Sequence, residues 1–101
     1  MWKVTTLLTR PSVDTPWYTP SEILLNKIQE QKDSGKLLLD RLDRRQDGLA
    51  RNYTMIWATK KDWEAYVSDP SLDAERQRRR LWNSRRGIKM TIIDSREVDE
   101  L

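Results

Sequence analysis

The segment Leu49–Ala58 constrains the fold of this 101-residue chain more than any other. It has the pattern of a β-strand, in which successive side chains point to opposite faces of a sheet. Tyr53, Met55 and Trp57 fall on one face, and Ile56 falls on the other. A sheet with one face in water alternates cleanly between apolar and polar residues, and this strand does not. We therefore predict a sheet that is covered on both faces.

Three other segments are strand-like, and helical segments separate them from one another. They are rich in Val, Ile, Thr and Leu, which favour strands, and they span Trp2–Arg10, Lys36–Gln46 and Ile88–Ile93. Asp47-Gly48 is typical of a hairpin turn and joins the second strand to the third. The last residues, Asp94–Leu101, are acidic and are expected to form a frayed tail.

Capping residues mark the two helical segments. Thr19-Pro20-Ser21-Glu22 predicts the start of the first helix, with Thr19 capping free amides and Pro20 at the first helical position. That helix is expected to end near Ser34-Gly35. Thr59 opens the second helical segment, which Asp69-Pro70-Ser71 interrupts and Gly87 ends.

The resulting order, β-α-β-β-α-β, is that of the ferredoxin-like α+β fold. Right-handed crossovers place both helical segments on one face of a four-stranded antiparallel sheet. The other face then stays open, although apolar residues such as Ile56 point to it. A second copy of the sheet would cover it, so we predict a homodimer through this open face. The length and the lack of a linker predict a single domain over residues 1–101.

Composition excludes several kinds of chemistry. The chain has no His and no Cys, which removes His–Zn sites, disulfides and catalysis by a thiolate or a His-paired nucleophile. No carboxylates stand at a metal-ligand spacing, so we assign no metal and no cofactor. The formal net charge of +3 is too small to indicate a nucleic-acid partner. We see no membrane span and no signal peptide, and we expect a soluble, cytoplasmic protein.

One part of the sequence resembles a known family. The strand end Met55-Ile56-Trp57-Ala58 precedes Thr59-Lys60-Lys61-Asp62-Trp63-Glu64-Ala65-Tyr66 and the break Ser68-Asp69-Pro70. This segment is similar to the dimeric α+β barrel superfamily, in its antibiotic-biosynthesis-monooxygenase-like branch, over about residues 49–70. The resemblance implies a ferredoxin-like fold and a homodimer. It also implies activities that include cofactor-free oxygenation of polycyclic phenols and oxidative haem degradation.

The haem-degrading members of that family differ from this sequence. They have an axial His in the second helical region, where residues Asp73–Arg76 offer only an arginine. They also have an Asn on the first strand, where Thr5 and Thr6 stand here. Their helical Trp looks equivalent to Tyr66. Because the sequence departs from the haem-degrading members at these positions, we expect no haem.

Aromatic residues supply the candidate ligand site. Cofactor-free oxygenation of a phenol needs an apolar pocket and a polar contact for the substrate anion. The candidate ligand-binding residues are Asn52, Tyr53, Trp57, Tyr66 and Trp82, with Arg51 as an alternative polar contact. In the simpler interpretation these aromatic residues fill the core, and only Trp17 has no packing role. Because no catalytic base is identified, the leading functional hypothesis is binding of a small apolar ligand between sheet and helices. The alternative hypothesis is a cofactor-independent monooxygenase.

A basic segment offers a third alternative. Six arginines occur without an intervening acidic residue: Arg76, Arg78, Arg79, Arg80, Arg85 and Arg86. Arginines on a helix bind phosphates, and Trp82 offers a stacking surface for a base. The alternative is a solvated face whose arginines pair with Asp69, Asp73 and Glu75. Since acidic residues nearly balance the charge of the chain, we favour ion pairing over nucleic-acid binding.

Overall fold

A computed structural model describes the whole chain, residues 1–101. The elements are β1 (Trp2–Thr9), α1 (Glu22–Asp33), β2 (Leu37–Arg44), β3 (Ala50–Trp57), α2 (Lys60–Val67), the 3₁₀ turn Pro70–Leu72, α3 (Asp73–Arg86) and β4 (Lys89–Glu97). This order confirms the predicted α+β class. The second helical segment is divided into α2 and α3 at the predicted break. None of the helices has the length and apolar character that crossing a membrane requires.

The four strands form one sheet in the order β2-β3-β1-β4, and all neighbours are antiparallel. β1 and β2 therefore run parallel with β3 between them, and α1 provides the crossover. In the central pair, Val4 lies opposite Met55 and Thr6 lies opposite Tyr53. This topology confirms the ferredoxin-like arrangement.

The hydrophobic core is small and lies beside α2. Leu37, Met55 and Trp57 form its buried cluster, and Trp57 is fully buried. Tyr66 packs on Trp57 with the ring centroids 5.0 Å apart. Only 14 of the 101 residues are buried, so side chains leave much of the space between sheet and helices unfilled.

Three of the predicted helix boundaries are confirmed, the end of α1 at Ser34, the start of α2 at Thr59 and the end of α3 at Gly87, and one is wrong. The side chain of Thr59 accepts a hydrogen bond from the Asp62 amide and caps α2. Gly87 ends α3 in the left-handed conformation, at φ 69°. The N-cap of α1 is Ser21 rather than Thr19, and its side chain does not cap the helix. The Ser21 hydroxyl instead donates to the buried carboxylate of Glu75 at 2.7 Å.

The last strand is longer than the sequence predicts. Residues 94–97 continue β4 past Ile93 and pair with β1. The Val98 amide then donates to the Met1 carbonyl at 2.9 Å, and the N-terminal ammonium pairs with Glu97 at 3.1 Å. The predicted end at Ile93 was wrong because β1 begins at Trp2 and offers a hydrogen-bonding edge along this whole length. The prediction of a frayed tail beginning at Asp94 is therefore wrong for residues 94–97.

The helices cover one face of the sheet, and we call the other its outer face. Strand alternation places three aliphatic residues there, Leu7, Leu39 and Ile56. Threonines and ion pairs surround them, including Arg41–Asp43 at 2.8 Å and Arg96–Asp94 at 3.1 Å. The outer face is therefore more polar than the pattern of β3 alone predicts.

Candidate ligand-binding cleft

A large cleft lies between the sheet and the helices. Its volume is about 790 Å³, and 16 of its 27 lining residues are hydrophobic. All four strands line it through the side chains that the pleat turns toward the helices, and α1, α2 and α3 line it from the other side. Residues 17–20, in the loop before α1, complete the wall. The volume lies within the usual range of small-molecule sites.

The cleft exists because α3 stands away from the sheet. α1 packs against β2 and α2 packs against β3, but α3 makes no comparable contact with any strand. Two aliphatic residues of β4 that a close-packed helix would bury therefore remain open to the cleft. Met90 is 42% exposed and Ile92 is 54% exposed.

Glu75 connects α3 to the segment before α1. It is 3% exposed and accepts hydrogen bonds from the Tyr18 hydroxyl at 2.7 Å and from the Ser21 amide and hydroxyl at 3.1 and 2.7 Å. Arg78 adds an ion pair at 2.8 Å. Burial acts to raise the pKa of Glu75, but these hydrogen bonds outweigh burial and hold it at about 2. Glu75 is therefore ionised at neutral pH. The sequence identified it only as a possible partner for arginines.

A chain of polar groups interrupts the apolar wall on the sheet side. The Tyr53 hydroxyl donates to Asp40 Oδ2 at 3.2 Å, and Lys32 Nζ pairs with Asp40 Oδ1 at 2.7 Å. Burial, followed by the charge of Asp40, raises the pKa of Tyr53. Burial also raises the pKa of Tyr66, whose hydroxyl makes no hydrogen bond within the chain. Both phenols are therefore neutral at physiological pH. Tyr53 already donates its proton to Asp40, so Tyr66 is the phenol that is free to donate to a ligand.

The structure brings together two of the five predicted ligand-binding residues, Tyr53 and Tyr66, in the cleft. Asn52 points to the outer face, because it alternates with Tyr53 along β3. Trp57 lies in the packed core. Trp82 lies outside the cleft, where its Nε1 donates to the Pro16 carbonyl at 3.0 Å.

The six arginines of residues 76–86 occupy different environments and do not form a single exposed basic face. Arg76 and Arg79 line the cleft, Arg78 pairs with Glu75, and the Arg86 guanidinium lies 3.3 Å from the Trp82 ring centroid. Arg80 and Arg85 are exposed. Arg86 therefore occupies one ring face of Trp82, and that face is not available to stack on a base.

Arg76 and Arg79 differ in what they can offer a ligand. Arg76 donates to the backbone carbonyls of Tyr66 and Asp69, at 2.7 and 2.9 Å, and joins α3 to the end of α2. Arg79 has a buried Nε without a hydrogen-bond partner, and burial lowers its pKa. Their spacing with Leu72 and Asn83 places all four on one side of α3, and this helical periodicity is the signal in the sequence that could have identified them.

No protein-family model, curated protein or solved structure matches this chain. The described residues also contain no group of three or more carboxylates arranged to hold a metal ion. The assignment of a role to the cleft therefore depends on its shape and on the chemistry of its wall.

Proposed function

We propose that this chain binds a small, largely apolar molecule in the cleft between sheet and helices. The observation that carries the proposal is a space of about 790 Å³ with a mainly apolar wall where a packed core would normally lie. Empty space inside a protein forfeits contacts between the atoms that line it. A ligand restores those contacts and buries exposed aliphatic groups such as those of Met90 and Ile92.

The polar groups of the wall indicate one requirement for this ligand. The Tyr66 hydroxyl and the Arg79 Nε both lack a partner within the chain and lie on the helical side. Because the Arg79 Nε is buried, leaving it unpaired costs free energy. A ligand oxygen that accepts from it is therefore favoured, and the Tyr66 hydroxyl can donate to the same ligand. An aromatic or aliphatic body that carries such an acceptor fits this wall.

Titration with Nile red, a neutral apolar dye, tests the proposal by fluorescence. We expect the unmodified chain to bind the dye and Ile92→Trp to bind it about ten-fold more weakly, because the larger side chain occupies the cleft. Ile93→Trp is the matched control, since Ile93 is 53% exposed, close to the 54% of Ile92, but does not line the cleft. Equal dye affinity in the two variants would contradict the proposal.

The second candidate function is cofactor-independent monooxygenation. The linked side chains of Tyr53, Asp40 and Lys32 favour it. Asp40 lines the cleft and lies where it can accept the proton of a phenolic ligand. The resemblance of residues 49–70 to the antibiotic-biosynthesis-monooxygenase-like branch supports the same activity. In the balanced reaction a phenol and O₂ give a quinone and water, so one oxygen atom enters the ring and the other leaves reduced.

Oxygen uptake with 1-naphthol separates catalysis from binding alone. If the chain is an oxygenase, 1-naphthol and O₂ are consumed in equal amounts and 1,4-naphthoquinone forms. Asp40→Asn is then expected to lose most of the uptake and to retain binding of 1-naphthol. Binding without oxygen uptake by the unmodified chain would leave the ligand-binding function and reject the oxygenase.

We also propose that two copies of the chain pair through their outer faces as a dimeric α+β barrel. The partly exposed side chains of Leu7 and Leu39, beside the buried Ile56, supply an aliphatic centre for this contact, and surrounding charges of both signs allow ion pairs across it. The helices lie on the opposite face and do not obstruct it. Each cleft therefore stays open in such a dimer.

A further inference from the structure

Three arginines approach one another near the end of the β2–β3 hairpin. Arg44 and Arg51 lie directly opposite in the register of β2 and β3, and the pleat turns both side chains toward the cleft face. Like charges in this position destabilise an antiparallel pair. Arg10, which follows β1, reaches the same region.

Trp17 connects Arg10 to Arg51. The Cζ atoms of Arg51 and Arg10 lie 4.4 and 4.7 Å from its ring centroid. Arg10 is held in place, because its Nε donates to the Gly48 carbonyl and its Nη1 to the Thr15 carbonyl, both at 2.8 Å. Trp17 therefore contacts two guanidinium groups, a role that its position in the sequence did not indicate.

The charges of this cluster lack acidic partners. Arg51 has a buried Nε without a hydrogen-bond partner. Two nearby acidic residues in the chain are already engaged, since Asp43 pairs with Arg41 at 2.8 Å and Asp47 with Arg45 at 2.9 Å. Burial, and then the charges of Arg44 and Arg10, lower the pKa of Arg51. A bound anion would relieve both the repulsion and the unpaired donor.

We propose that Arg10, Arg44 and Arg51 bind an oxyanion that forms one end of the molecule held in the cleft. Arg51 belongs to the cluster and also lines the cleft, so the two are continuous. Guanidinium groups bind carboxylates and phosphates through paired N–H donors. The inference rests on the proposed ligand-binding function and names its ligand class, an anionic amphiphile with an apolar body.

Calorimetric titration with decanol, decanoate, decyl phosphate and inorganic phosphate tests the two parts separately. We expect the unmodified chain to bind the two anionic amphiphiles about ten-fold more tightly than decanol. Arg44→Gln should remove most of this preference and leave the affinity for decanol unchanged. Arg80→Gln is the matched control, because it removes the same charge from an exposed position on α3.

The remaining outcomes each decide against part of the proposal. Equal affinity of the unmodified chain for decanol and decanoate overturns the anion site. Inorganic phosphate that binds as tightly as decyl phosphate shows a free anion site and overturns its link to the cleft. If phosphate binds through Arg44 and decanol does not bind, the proposed ligand-binding function fails while the anion site stands.

Because Arg44→Gln relieves a like-charge contact, we expect its melting temperature to equal or exceed that of the unmodified chain.

Discussion

Glu75 joins α3 to the segment before α1 through hydrogen bonds from Tyr18 and Ser21, and it also accepts one from Arg78 on its own helix. Because the carboxylate is buried, water does not readily replace a donor that loses it. This residue therefore holds the first turn of α3 against the segment that leads into α1. The connection helps to fix the position of α3 over the cleft, since α3 itself has little contact with the sheet.

We expect Glu75→Gln to lower the free energy of unfolding by about 2 kcal/mol, because an amide satisfies fewer of these donors. The pKa of Glu75 is lowered from 4.5 to about 2, so its contribution is complete above about pH 4.5 and is lost as the pH falls toward 2. Urea unfolding between pH 2 and 7 measures both effects. The unmodified chain should lose stability over this acidic range more steeply than the variant.

Glu64→Gln provides the control, because Glu64 is exposed and its side chain makes no ion pair. It should keep both the stability and the pH dependence of the unmodified chain. A pH dependence in Glu75→Gln that parallels the unmodified chain would show that Glu75 does not carry this effect.

Among the elements, α3 explains most directly why the cleft stays open. Its side toward the sheet carries Arg76, Arg79 and Asn83 below Leu72. Closer packing on the aliphatic residues of β1 and β4 would bury the rest of the Arg79 guanidinium, whose Nε already lacks a partner, without supplying one. The helix therefore keeps its distance, and a ligand with an acceptor group fits between the two surfaces.

The extension of β4 to Glu97 predicts that residues 94–97 stabilise the fold. Deletion of residues 94–101 removes the strand that pairs with Trp2–Thr5, and we expect it to lower the free energy of unfolding by at least about 3 kcal/mol. Deletion of Asp99–Leu101 alone should change it by no more than about 0.5 kcal/mol. Thermal unfolding followed by circular dichroism measures both. Similar melting temperatures for the two truncated chains would contradict a structural role for residues 94–97.

For the whole molecule, the two faces of the sheet have separate proposed roles. The helical face encloses the cleft, and the outer face is the proposed dimer contact. The separation allows one face to be altered without direct change to the other.

Sedimentation velocity tests this division. We expect the unmodified chain to sediment as a dimer and Leu7→Arg to sediment as a monomer, because the new charge interrupts the aliphatic centre of the outer face. Ile23→Arg, at an exposed position on α1, should remain a dimer. Leu7→Arg should still bind Nile red. A monomeric unmodified chain would reject the dimer and leave the cleft proposal intact.

The sequence by itself determined the order of strands and helices, the cap at Thr59 and the end of α3 at Gly87. These features depend on residues within a few positions of one another, and local periodicity records them. Alternation along β3 also predicts that Asn52 and Tyr53 face opposite ways. That alternation separates two candidate ligand-binding residues, and Arg51 shares the cleft with Tyr53.

Only the tertiary structure decided where α1 and β4 meet the rest of the chain. Ser21 binds Glu75 across 54 positions, and Met1 binds Glu97 across 96. Neither contact leaves a local pattern. The cleft also leaves no local pattern in the sequence, because its volume depends on the distance between α3 and the sheet. Local patterns predict which residues form each helix and strand, but the space between them depends on how the complete set of side chains packs.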